Sequence, residues 1–146
     1  MYPVLLILHL LGAAIWVGGH LILSTRYLPQ ALKEQDPNII RAFEQKYEPL
    51  GLPALLLQVI TGVLLAYHYG VPIQYWFSFS SPIEVSVSIK LLLLFATILL
   101  AIHARLFIIP TLNKKSLPKM AMHIVLITII AVVMLIVGST IRMGGI

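Results

Sequence analysis

The sequence predicts an all-α integral membrane protein: a four-helix bundle in up-down-up-down order, with one short amphipathic helix at the membrane interface. Three observations carry that prediction. Of 146 residues, 60% are hydrophobic and only 10% charged, against about 25% charged in a soluble domain. Four apolar runs are each long enough to cross a bilayer, which takes about 20 residues. There is no cysteine, which removes disulfides, thiolate metal sites, iron–sulfur clusters and thiol nucleophiles. The chain 1–146 reads as a single four-span transmembrane domain in a lipid bilayer.

The first span covers about 3–25. No charged residue precedes Arg26, so the basic region of a signal peptide is missing and the stretch reads as a retained membrane helix. Gly12, Ala13, Ala14, Gly18 and Gly19 offer a face for close helix packing, either within the bundle or between protomers of a homo-oligomer. In the 26–48 connection, Asp36-Pro37 resembles a cap followed by a first-turn proline. Ile39, Ile40, Phe43 and Tyr47 then recur at helical spacing, with Arg41, Glu44, Lys46 and Glu48 mostly opposite. This predicts a short amphipathic helix lying on the surface. The second span covers about 49–70. The next connection carries Tyr75, Trp76, Phe77 and Phe79, an aromatic belt at headgroup level. The third span covers about 85–109, with Lys90 near its start and Arg105 near its end, both placed to snorkel. The fourth covers about 119–141.

Alternating spans assign the charges to two faces. Arg26, Lys33, Arg41, Lys46, Arg105, Lys114, Lys115 and Lys119 fall on one, Lys90 and Arg142 on the other. The positive-inside rule puts the first face in the cytoplasm and both termini outside, the periplasm for a bacterial inner membrane. The basic residues form no long stripe, so nucleic acid is not an expected partner.

All five histidines, His9, His20, His68, His103 and His123, lie inside the expected spans. Titratable groups at that depth are expensive and mark function. By depth they form two layers, His9 with His68, and His20 with His103 and His123. His9 and His20 are separated by about 16 Å along their helix and by about 20° around it, so one face presents an imidazole to each layer. Imidazole ligates haem iron, copper and zinc, and haem takes one or two axial histidines. Arg26, Lys90 and Arg105 lie at headgroup level, where haem propionates need cations. The pattern therefore points to one or two haem b groups, or to copper. The expected function is a haem b membrane redox protein, an electron carrier or haem-dependent oxidoreductase, with a quinol or a small oxidant as partner. Copper transport or copper handling is the alternative.

Four segments carry a family resemblance: HLLGAAIWVGGHLILSTRYLP at 9–29, ITGVLLAYHYG at 60–70, IKLLLLFATILLAIHARLF at 89–107 and GSTIRMGG at 138–145. They resemble the copper-resistance D family of integral membrane proteins, and more distantly the small protoporphyrinogen oxidase family of four-helix membrane proteins. The resemblance implies a four-helix core and matches His9, Trp16, Arg26 and Lys90 to residues of those families. From the oxidase family it implies haem b binding at His9, and from the copper-resistance family copper uptake.

Overall fold

The computed structural model describes residues 2–146, and among them it is all-helical. Four helices are long and apolar enough to cross a membrane: α1 Tyr2–Glu34, α2 Asn38–His68, α3 Pro82–Ile108 and α4 Leu117–Met143. A membrane solvent is visible in what faces out. Leu56, Ile60, Phe95, Leu99 and Ile136 are exposed, while Thr61, Ser86, Ser88, Thr97, His123 and Thr128 are buried. In lipid an apolar exterior carries no penalty, and interior polar groups must find partners inside the bundle. The buried hydroxyls do so: Thr97 and Thr128 each donate to the carbonyl one turn back, at 2.8 and 2.7 Å.

The helices are longer than their apolar runs. The 26–48 connection is not a loop carrying a separate interfacial helix, as the charge pattern predicts. It continues α1 to Glu34, turns over residues 35–37, and starts α2 at Asn38. The turn uses left-handed Gln35 (φ 52°) and an Asp36 carboxylate that accepts from the Asn38 N–H at 2.9 Å. The amphipathic stretch 39–47 is thus the opening of α2, and Pro49 and Pro53 lie inside it. Helix is the cheaper conformation there because each interior peptide other than Pro49 and Pro53, which have no N–H, keeps its own hydrogen bond beyond the apolar run.

One end of the bundle holds both termini. Tyr2 and Tyr69 share a hydrogen bond of 2.8 Å, and the Ile146 N–H reaches Ser86 Oγ at 3.1 Å. At the opposite, loop end, Arg41 Nη2 donates to the Leu112 carbonyl at 2.5 Å. The densest apolar core lies at the loop end, where Leu23, Leu28, Ala31, Ile40, Leu117 and Met120 meet.

α1 packs along α2 and α4, and α3 packs on α4. The order around the bundle is therefore α2-α1-α4-α3, and α2 and α3 do not pack closely on each other. Small residues set the α1–α2 register. A Cβ at Gly12 would meet the Ala54 carbonyl and Gln58 at 3.1 Å, and a Cβ at Gly19 would overlap the Tyr47 ring. A Cβ at Gly51, one turn on from Tyr47 in α2, would lie 2.6 Å from the same ring. Gly12 and Gly19 therefore serve packing inside the bundle, whereas a Cβ at Gly18 would meet nothing within 4 Å. α1 and α3 each contain a π turn near the loop end, at Leu23–Tyr27 and Ala104–Ile108.

Candidate functional site

Two cavities lie between the helices, one in each half of the bundle. The larger, about 340 Å³, is in the half nearer the termini, and all four helices contribute to its wall. Most of that wall is apolar, but His9, Gln58, Lys90 and Arg142 also border it.

The position of His9 follows from the α1–α2 register. Its ring lies against Gly62, where a Cβ would stand 3.2 Å from Cε1. Its Nδ1 is 2.8 Å from Thr61 Oγ1. The Thr61 hydroxyl already donates its proton to the Leu57 carbonyl at 2.6 Å, so towards His9 it accepts. Nδ1 therefore carries the proton, and in the neutral ring Nε2 keeps its lone pair. Gln58 Nε2 donates to the His9 carbonyl and pins the backbone of the same residue. A ring held through Nδ1–H with Nε2 free is the arrangement used by metal-ligating histidines.

Lys90 comes to the same cavity from α3. A Cβ at Gly138 would lie 3.0 Å from its Nζ, so this glycine of α4 makes room for the ammonium. Lys90 forms no ion pair among the described residues. Arg142 joins it from the end of α4. Lys90, Arg142 and His9 thus border one apolar space with no carboxylate among the residues that line it.

The smaller cavity, about 130 Å³, is at the loop end and is bordered by His20, Glu44, Tyr47, Glu48, Arg105 and His123 among others. Trp16 belongs to the wall of both cavities. His20 Nδ1 donates to the Trp16 carbonyl at 2.9 Å, which again leaves Nε2 with a lone pair in the neutral ring. The Tyr47 hydroxyl donates to the Ile15 carbonyl at 3.0 Å. His123 Nδ1 donates to the Lys119 carbonyl at 3.0 Å, so its Nε2 accepts from His103 Nδ1, also at 3.0 Å. Arg105 and Glu48 form an ion pair of 2.5 Å at the exposed rim.

The expected layers are only partly assembled. His9 and His68 do not meet. His9 stands opposite Thr61 on α2, and His68 is two turns further along, about 10 Å, exposed and stacked on Tyr2 with ring centroids 4.4 Å apart. At the loop end His103 and His123 touch, with rings stacked at 5.0 Å. His103 is exposed and does not line the cavity that His20 and His123 share. Among the described residues no group of three or more His, Asp or Glu side chains is placed to hold a metal ion. Lys90 and Arg105 each border a cavity, whereas Arg26 is exposed and borders neither. Phe95 and Phe107, 61% and 64% exposed, face outward and line nothing.

Sequence reasoning missed Thr61, Gln58 and Arg142. The signal for the first two was present: two polar residues three apart in the middle of an apolar span.

No family model, curated protein or solved structure matches the chain.

Proposed function

We propose that the protein is a membrane redox protein that binds one haem b in the larger cavity, with His9 Nε2 as the axial ligand. The observation that carries this reading is the Thr61 clamp: it holds His9 in the tautomer whose free nitrogen can ligate iron. Lys90 and Arg142 would pair the two propionates, and the apolar wall would bury the ring. An engineered cavity of about 150 Å³ holds a benzene ring. On that scale about 340 Å³ encloses roughly two of the four pyrroles, and the gap between α2 and α3 would leave the rest towards lipid. The haem would supply one-electron chemistry, and the protein supplies the ligand, the counter-charges and a dry surrounding. We place the loop end in the cytoplasm of a bacterial inner membrane by the positive-inside bias.

The test is purification in detergent with haem supplied during expression. A red preparation with a Soret band, lost in His9→Ala and kept in His68→Ala, supports the reading. A colourless preparation carrying stoichiometric copper refutes it and favours copper handling.

A further inference from the structure

We propose that the loop-end cavity binds the head group of a hydroquinone. This site is separate from the haem cavity and stands without it.

Size limits the occupant first. The cavity is about 130 Å³, close to the roughly 150 Å³ that takes one benzene ring. One six-membered ring is of that size. The walls suit a flat ring. Trp16 and Tyr47 supply aromatic surface from α1 and α2, with His20 between them: its ring centroid is 4.3 Å from that of Trp16 and 6.1 Å from that of Tyr47.

Hydrogen bonding then selects the substituents. The Tyr47 proton is already given to Ile15, so it offers the ligand none. His20 presents an Nε2 lone pair, because its Nδ1 proton goes to the Trp16 carbonyl. The Glu44 carboxylate borders the same space and joins no ion pair among the described residues. Its neighbour Glu48 differs, being held by Arg105 at the rim. Apart from the Arg105–Glu48 pair at the rim, the cavity offers two acceptors from two different helices, His20 Nε2 and the Glu44 carboxylate, and a ligand that matches them carries two donors on one ring. A hydroquinone has two hydroxyl donors on one ring, and the lipid-soluble members of that class reside in the bilayer that surrounds this site. A metal ion is a poorer match, since no three-ligand cluster forms among the described residues.

The backbone adds an independent mark. The π turns of α1 and α3 both reach this cavity, through Leu23 and through Ala104 and Arg105. Single π turns inside α-helices are rare and recur at functional sites.

The experiment uses the full chain in detergent with Trp76→Phe, so that Trp16 is the one fluorophore of its kind. Methylhydroquinone is titrated anaerobically, alongside its dimethyl ether, which keeps the ring and loses both donors. Saturable quenching by the hydroquinone is expected, with the ether at least about tenfold weaker. Glu44→Ala is expected to weaken the hydroquinone by about tenfold, and His20→Phe by about threefold to tenfold. Equal binding of ether and hydroquinone, no saturable quenching, or an affinity unchanged in both variants overturns the proposal. The ether comparison is made in protein with Glu44 and His20 intact, so it decides the matter even where a variant fails to fold.

Discussion

Replacing Thr61 by valine tests the clamp on His9 with almost no change of shape. Thr61 is 2% exposed, and valine is isosteric with it but lacks the hydroxyl. The Leu57 carbonyl gives up one extra donor and stays in the helix. His9 loses more, because its Nδ1–H at 2.8 Å is left facing a methyl group. An unsatisfied buried donor costs about 1–3 kcal/mol. The ring can escape that cost by moving its proton to Nε2, which removes the lone pair that would ligate iron. Either route penalises the bound state, and 1–3 kcal/mol corresponds to about 5- to 150-fold in affinity. Loss of such a supporting contact elsewhere costs about 10–100-fold. We therefore expect Thr61→Val to lower haem affinity by about 10–100-fold in a Soret titration, and Thr61→Ser, which keeps the hydroxyl, to stay within about threefold. Nitrogen NMR of the apo protein gives a second readout: His9 carries its proton on Nδ1 in the parent chain and loses that preference in the valine variant. A valine variant within about twofold of the parent in affinity, with an unchanged tautomer, refutes the reasoning.

Three further outcomes follow from the packing and charge. Gly19→Ala drives a methyl into the Tyr47 ring and is expected to destabilise the bundle by about 1–3 kcal/mol; Gly18→Ala meets open space and is expected to be neutral or stabilising by up to about 1 kcal/mol, both read by thermal unfolding in detergent. Lys90→Met removes a cation from an apolar interior, so the apo protein is expected to gain about 1–3 kcal/mol while its haem affinity falls; a gain in both would remove Lys90 from the site. Because the chain has no cysteine, Asp36→Cys and Ser80→Cys report each end separately, and in whole cells an impermeant thiol reagent is expected to label position 80 and spare position 36.

The spans were legible because twenty apolar residues have few alternatives to a membrane helix, and the side-chain rule of about 100° per residue put His9 and His20 on one face of α1, where each borders a cavity. Two things were not legible. Charges between 26 and 48 read as a boundary, yet a helix leaving the membrane keeps its backbone bonds and need not stop where its side chains become polar. Depth alone also could not pair His9 with a partner. The α1–α2 register depends on glycines meeting a tyrosine ring and a glutamine across the interface, and that register puts Thr61 opposite His9 and leaves His68 to Tyr2. His103 does meet His123, but it lies outside the cavity that His20 borders, because a residue's direction on α3 is set by packing against α4, which the apolar composition of α3 does not reveal.

The two π turns also set the phase of everything that follows them. Each accommodates one residue more than an α-helix would use over the same length, as the Leu28 N–H shows by reaching back five residues to the Leu23 carbonyl. Deleting Ser24 would let α1 close into regular geometry and would leave the segment beyond it near its present phase, because the extra residue is the one that the π turn absorbs. Leu28 and Ala31 would stay on the core they now help to fill, and exposed neighbours such as Pro29 and Gln30 would stay outward. A loss of one amino acid there is thus milder than the same loss in a regular turn of α1, where everything beyond it would swing by about 100°.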